Sequence, residues 1–378
     1  MSDLINYLTK IRFGVGAISE LKEELAAFGI ERPLIVTDGG LVAIGLIAEV
    51  FEKAGLAADT PVFSETPENP TEEATELALE LLKGVNADGI VAIGGGSSID
   101  LAKGVALLAT HPGPLETYAA IRGGVAKVTP AVLPLIAVPT TAGTGSEVGR
   151  ATLITLRNQR KLGFLSPYLI PRVALCDPAL TLKLPPRLTA ATGVDALSHC
   201  VETYLSPKFN PPAEGIALDG LARAWENIRA AVADGSNIDA RTEMMAAAVE
   251  GALAFQKGLG AIHSTSHALG GLKQYRLHHG TLNAVMMPPV LRFNAPVCEA
   301  KYAKMRKVMD LAPETDLADT FTQLNRDLGL PTSLSELGVS PDVIDQVAQW
   351  SEEDHSTPTN PRPAKKADFV AILEDAMG

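Results

Sequence analysis

Apolar positions in the first half of the chain fall into short, unbroken runs. PLIVTD (33–38), GIVAIGGG (89–96), PLIAVPTT (134–141) and RVALCD (172–177) are rich in β-branched residues and end in polar or turn-forming ones. Runs without polar alternation are buried on both faces, which predicts central strands. Between them, LVAIGLIAEVFEKAG (41–55) and EEATELALELLKG (72–84) place apolar residues every three or four positions, which predicts helices. Strands alternating with helices predict a mostly parallel sheet covered by helices.

Beyond the proline-marked turn TLKLPPRLT (181–189) the period changes. EGIALDGLARAWENIRAAVA (214–233) and RTEMMAAAVEGALAFQ (241–256) keep helical spacing, and strand signals nearly vanish. The pattern predicts an α/β domain over residues 1–183 and an all-helical domain over 184–378, with no internal repeat. EEDHSTPTNPRPAKK (352–366) reads as a loop before a last helix, KADFVAILEDAM (366–377).

Composition narrows the function classes. A chain of 378 residues, 46% hydrophobic and 20% charged, is long enough for two full cores. Its 32 basic and 44 acidic residues give a formal charge of −12, which repels a polyanion and argues against a nucleic-acid partner. The opening MSDLINYLTK lacks a basic segment followed by an apolar one, and no apolar run approaches the roughly 20 residues of a membrane helix. Cys176, Cys200 and Cys298 are too few and too scattered for a disulfide framework. The expectation is a reduced, cytoplasmic protein with no membrane partner.

Two loops carry candidate chemistry. GIVAIGGGSSIDLAKGVAL sets a strand, three glycines and a helix in succession. Small residues there let backbone N–H groups approach a ligand, and the helix N-terminus favours an anion such as a pyrophosphate. Ser97 has the position of a helix cap, with Asp100 at capping-box spacing, so a tight turn and capped helix is the plain alternative. PTTAGTGSEVGR (139–150) is a second Gly, Thr and Ser-rich loop after a buried strand. Two such loops at strand carboxyl ends suit a dinucleotide. Asp38, ending a third strand, suits ribose hydroxyls and repels a 2′-phosphate, favouring NAD over NADP; a turn or helix-capping Asp is the alternative.

Four of the seven histidines lie within residues 258–284, at His263, His267, His278 and His279. His263 and His267 are four apart, one turn on a helix face, and Asp195 and His199 repeat that spacing upstream. Burying so many polar groups unpaired would cost several kcal/mol. One carboxylate with two or three imidazoles suits Fe²⁺, Zn²⁺, Co²⁺ or Ni²⁺ and lacks the thiolates of a closed structural zinc site. Spacing alone does not choose between His278 and His279.

GGGSSIDLAK, PTTAGTGSEV, DALSH, GAIHSTSHALGG and HHGTLNAVMMP stand in the order and spacing of one family. Over essentially its whole length the chain resembles the iron-dependent (group III) alcohol dehydrogenases. The resemblance implies a dehydroquinate-synthase-like architecture, with an N-terminal α/β NAD-binding domain, a C-terminal helical metal-binding domain and an active site in the cleft between them. It implies Asp195, His199, His263 and His279 as metal ligands, His279 being selected because the family's last His precedes Gly. His267 would face nicotinamide and substrate and relay the proton. Asp38 and Asn69 would lie on the adenosine half, Gly95, Gly96 and Ser97 on the pyrophosphate, and Thr140, Thr141, Thr144 and Lys161 beside the cofactor.

The chain departs from the family at Gly149, where Thr is usual, and at STPTNPR (356–362), where a CTGGNPR-like loop is usual. Both border the implied substrate pocket, with Ala151, Leu153, Phe255 and Leu259. The expected reaction is reversible hydride transfer between a small primary alcohol or aldehyde and NAD(H), with iron, or zinc in its place, as the metal. Arg150 raises a hydroxy acid or its semialdehyde as an alternative, and polyols are another. A dehydroquinate-synthase-like lyase would need a basic cluster for a phosphorylated substrate, for which only Lys273 and Arg276 stand near. A non-catalytic metal- or nucleotide-binding protein is the remaining rival, disfavoured by the intact loops and ligand set. The family also implies a homodimer, with residues 5–16 (INYLTKIRFGVG) as a candidate edge strand.

Overall fold

The computed structural model describes residues 9–272 and 274–378. They form two compact units, one of residues 9–141 and 146–183, the other of 142–145 and 184–378.

The first unit carries eight strands: β1 (Ile11–Phe13), β2 (Pro33–Val36), β3 (Val62–Phe63), β4 (Gly89–Gly94), β5 (Leu135–Pro139), β6 (Ala151–Thr155), β7 (Lys161–Leu165) and β8 (Val173–Cys176). Six of them make a sheet in the order β1-β8-β5-β4-β2-β3, with every pair parallel. Its helices are α1 (Leu21–Ala27), α2 (Gly39–Ala43), α3 (Leu46–Ala54), α4 (Glu72–Gly84) and α5 (Gly96–Leu108). Alternate side chains enter opposite cores. Leu34, Val36, Ile90, Ala92, Leu135 and Ala137 pack with α4 and α5, whereas Ile35, Val91, Ile93, Ile136 and Val138 pack with α1 and α3. Burial of both faces is why these strands read as continuous apolar runs.

Two features differ from the expected elements. The predicted helix over 41–55 is two helices, α2 and α3, because Gly45 takes φ 73°, which a helix does not accommodate. The strands β6 and β7 form a separate antiparallel pair whose Ile154 and Phe164 join the α4–α5 core. Of the expected edge strand over 5–16, residues 5–8 lie outside the described residues and Ile11–Phe13 pairs with β8.

The second unit is helical, as its period predicts. Its helices are α6 (Pro186–Leu205), α7 (Pro211–Ala233), α8 (Ile238–Ala254), α9 (Ala261–Gly270), α10 (His279–Val308), α11 (Leu317–Asp327), α12 (Ile344–Glu352) and α13 (Lys366–Met377). Pro186 and Pro211 sit at first helical positions, where a missing N–H costs nothing. Among the described residues no helix is long and apolar enough to cross a membrane.

Candidate functional site

The helix α6 is buried at every residue from Thr189 to Leu205. A helix surrounded by protein should be apolar all round, yet α6 buries Asp195, His199 and Glu202 at positions i, i+4 and i+7. Neighbouring helices supply their partners. Gly280 lets α10 begin against α6: a Cβ there would stand 2.3 Å from the Ala191 carbonyl oxygen. His279 thereby reaches Asp195, and α9 brings His263 from another side.

Asp195 Oδ1 lies 3.8 Å from His199 Nε2, 3.8 Å from His263 Nε2 and 3.7 Å from His279 Nε2. Ligands held at about 2.0–2.2 Å around a tetrahedral ion stand about 3.4 Å apart; Asp195, His263 and His279 offer ligand atoms within 4.8 Å of one another, whereas His199, near Asp195, stands outside that group. Asn283 Nδ2 donates to Asp195 Oδ1 at 2.6 Å and lies 3.2 Å from His279 Nε2 and 3.4 Å from His263 Nε2. An N–H donor thus stands where several lone pairs converge, the place a cation would satisfy. Burial and the neighbouring His199 hold the His263 imidazole well below its usual range, in the neutral form that ligates. One carboxylate and three imidazoles fit a divalent transition metal such as iron or zinc.

Glu202, which sequence reasoning passed over, accepts from His263 Nδ1 at 2.6 Å. Burial pushes its carboxyl up to about 7, against the pull of backbone N–H donors from α9. Asp354 and His355 were also missed. Asp354 Oδ2 is 3.1 Å from His267 Nδ1 and 3.6 Å from His355 Nδ1, and the three residues form a second group of potential ligands. Burial alone would raise the Asp354 carboxyl, but His355 and His267 outweigh it and hold it well below the usual carboxylate range. The rings of His279, His267 and His355 stack in sequence, each pair 5.5 Å apart at 11° and 12°. The signal for these residues was the acid–histidine pair inside a segment read as a loop.

Of the four expected pocket residues, Phe255 meets the His199 ring edge-on at 5.3 Å. The Leu259 carbonyl accepts from Thr359 Oγ1 at 2.6 Å. Ala151 and Leu153 lie on β6, in the other unit. His278 precedes α10, and the potential ligand group contains His279. Lys273 lies outside the described residues, and Arg276 is exposed.

In the α/β unit the register pairs Gly94 with Pro139, so both glycine loops leave the sheet side by side. Thr140 N donates to the Gly94 carbonyl at 3.0 Å. A Cβ at Gly95 would come within 3.3 Å of the Thr141 side chain, so the loops are in contact. The expected capping box is absent. Gly95 is the N-cap of α5, Ser97 Oγ donates to the Glu68 carbonyl, and Asp100 accepts from Ser146 Oγ and Leu153 N instead. The backbone of Gly96 and Ser97 opens the helix. Asp38 caps α2 by accepting from Leu41 N at 3.0 Å with Oδ1. Lys161 Nζ donates to Asn69 Oδ1 at 3.1 Å, bringing together two expected cofactor residues 92 positions apart. Thr144 belongs to the short segment 142–145 grouped with the helices, where Gly145, at φ +59°, packs on Ala252.

Comparison with known proteins identifies the family. The family described as iron-containing alcohol dehydrogenase matches residues 9–178, and the C-terminal domain of the same family matches residues 189–377. The chain is 53% identical to a 4-hydroxybutyrate dehydrogenase of Cupriavidus necator, with 99% of each chain covered. It is 35% identical to an NAD-dependent methanol dehydrogenase of Bacillus methanolicus, over 96% of this chain and 97% of that one. The solved structure of a 1,3-propanediol oxidoreductase superposes with a TM-score of 0.91 at 34% identity, over 99% of this chain and 100% of that one. With both halves matched and its histidines converging on one aspartate, the chain belongs to the iron-containing alcohol dehydrogenase family.

Proposed function

We propose that the protein oxidises a short ω-hydroxy acid, 4-hydroxybutyrate foremost, to its semialdehyde with NAD⁺, and catalyses the reverse reduction with NADH. The observation that carries the dehydrogenase reading is the convergence of three imidazoles on Asp195 Oδ1 at 3.7 to 3.8 Å. The substrate class rests on the 53% identity to the Cupriavidus necator enzyme. Asp195, His199, His263 and His279 would hold the metal, which when bound supplies Lewis acidity toward the substrate oxygen.

The remaining work falls to the protein. Asp354, ionised, accepts from His267 Nδ1 at 3.1 Å, which leaves Nε2 to take the hydroxyl proton as the hydride departs for the nicotinamide. Phe255 on the His199 ring helps keep water away. Asp38, Asn69 and Lys161 serve the adenosine half, with the backbone of Gly95, Gly96 and Ser97 on the pyrophosphate and Thr140, Thr141 and Thr144 alongside. Arg150, exposed just before β6, is the candidate partner of the substrate carboxylate. A cytoplasmic homodimer completes the reading, and light scattering of the purified protein tests its stoichiometry.

The test is steady-state kinetics with protein purified without oxygen, loaded with Fe²⁺ or left metal-free. Metal-dependent NAD⁺ reduction is expected, with kcat/KM for 4-hydroxybutyrate exceeding that for 1-butanol by about tenfold or more, a difference of about 1.4 kcal/mol. Arg150→Ala should raise KM for the hydroxy acid and leave the neutral alcohol unaffected. Equal or better turnover of 1-butanol would refute the substrate class. Failure with every alcohol despite bound metal and NAD⁺ would refute the dehydrogenase reading.

A further inference from the structure

We infer that Glu202 is the positioning carboxylate of the metal centre: through its bond to His263 Nδ1 it fixes the tautomer and ring orientation that aim Nε2 at the ion. The inference rests on the metal reading of the Asp195 cluster.

Glu202 lies on the same face of α6 as Asp195 and His199, seven and three residues further on. It is almost wholly buried, and its carboxylate is immobilised by α9. Oε1 accepts from Ile262 N at 2.7 Å, and Oε2 accepts from His263 N at 3.3 Å and His263 Nδ1 at 2.6 Å. With Glu202 ionised, Nδ1 carries the proton and the lone pair sits on Nε2, the atom 3.8 Å from Asp195 Oδ1. A carboxylate behind a ligating imidazole also raises its basicity, and loss of such a partner costs about 10–100-fold in metal affinity. The other two imidazoles are held differently. His279 Nδ1 is 3.5 Å from Ser266 Oγ, and His199 Nδ1 is buried with no hydrogen-bond partner among the described residues.

Glu202 also caps α9, and a cap alone could move His263. Asn360 separates the two roles: its Oδ1 accepts from Ala261 N at 3.1 Å, in the same first turn. No hydrogen bond joins Asn360 to the His263 ring.

The experiment titrates metal-free protein with Co²⁺ against a chromophoric chelator and records the visible spectrum of the bound ion. Glu202→Gln should bind Co²⁺ about 10–100-fold more weakly, with an altered d–d envelope. Asn360→Ala should lower Tm and keep wild-type Co²⁺ affinity and spectrum. A Glu202→Gln protein indistinguishable from wild type in both readouts overturns the inference, as does an Asn360→Ala protein that loses as much affinity. Wild-type protein that binds no Co²⁺ overturns the metal reading and this inference together. If Glu202→Gln does not fold, proton NMR of the wild-type Co²⁺ form decides. A hyperfine-shifted N–H resonance that exchanges slowly with solvent supports a His263 Nδ1–H···Glu202 bond, and fast exchange of every such resonance overturns it.

Discussion

Replacing Lys103 by Met should unfasten the second glycine loop from the helix that follows the first. Lys103 is fully buried, and Nζ donates to the carbonyls of Ser146, Gly149 and Ala151 and to Ser146 Oγ at 2.7 to 2.9 Å. Asp100, one turn earlier on α5, takes the Ser146 hydroxyl and Leu153 N. Burial holds the Lys103 ammonium down at about 8 instead of 10.5 even with Asp100 and Glu147 opposing it. That shift corresponds to about 3 kcal/mol against the charged form. Removing the cation nevertheless leaves three buried carbonyls without their donor and takes a compensating charge from buried Asp100, a loss of about 3–5 kcal/mol. Differential scanning fluorimetry at pH 7 should show a Tm lower by about 10 °C, and NADH fluorescence titration an affinity weaker by about tenfold. The double variant Asp100→Asn with Lys103→Met should be less impaired than the sum of the singles. The pH dependence has a definite sign. Between about 8 and 10.5 the native lysine binds fewer protons than the unfolded one, so wild-type stability gains relative to Lys103→Met as pH rises through that window. Wild-type Tm and NADH affinity in Lys103→Met, or an unchanged pH dependence, would refute the reasoning.

Three further outcomes are expected. His267→Ala should lower kcat by about 10²-fold or more while atomic absorption finds the metal content of the wild type; loss of metal would show that His267 is a ligand. Asp38→Ser keeps an oxygen able to cap α2 and removes the charge, so NADPH should bind more tightly relative to NADH in fluorescence titrations, and an unchanged ratio would take Asp38 off the ribose. Burial and Asp219 push Glu250 up to about 8, so its native form keeps a proton that the unfolded chain has released. The thermal advantage of Glu250→Gln over wild type should therefore grow from pH 4.5 to about 8 and then level off; a difference independent of pH would count against a raised Glu250.

Sequence pattern carries furthest where one physical cause dominates. The central strands and α4 were legible because burial on both faces, or on one helix stripe, writes itself into unbroken or periodic apolar runs. The split between α2 and α3 turned on the single residue Gly45, whose left-handed conformation a periodicity count does not register. The β6–β7 pair is five residues long on each side and carries threonine, lysine and glycine among its apolar residues, so it lacked a clean run. Pro288, Pro289 and Pro296 are stop signals inside α10, a 30-residue helix that continues past them. Four of the site residues were legible because local helix geometry brings His199 to Asp195 and His267 to His263 at i+4. Asp354 reaches His267 across 87 positions and Glu202 reaches His263 across 61, distances in sequence that no local pattern records. Glu202 moreover looks like any helix glutamate until α6 is seen to be buried all round.

The account turns on where a metal binds. Crystals of the Fe²⁺- or Zn²⁺-loaded protein, measured on either side of the metal's absorption edge, would locate it by anomalous scattering. The account predicts one peak per chain at about 2.0–2.2 Å from Asp195 Oδ1 and the Nε2 atoms of His199, His263 and His279. A peak at His267, Asp354 and His355 in place of that one, or no peak in protein that turns over, would contradict it.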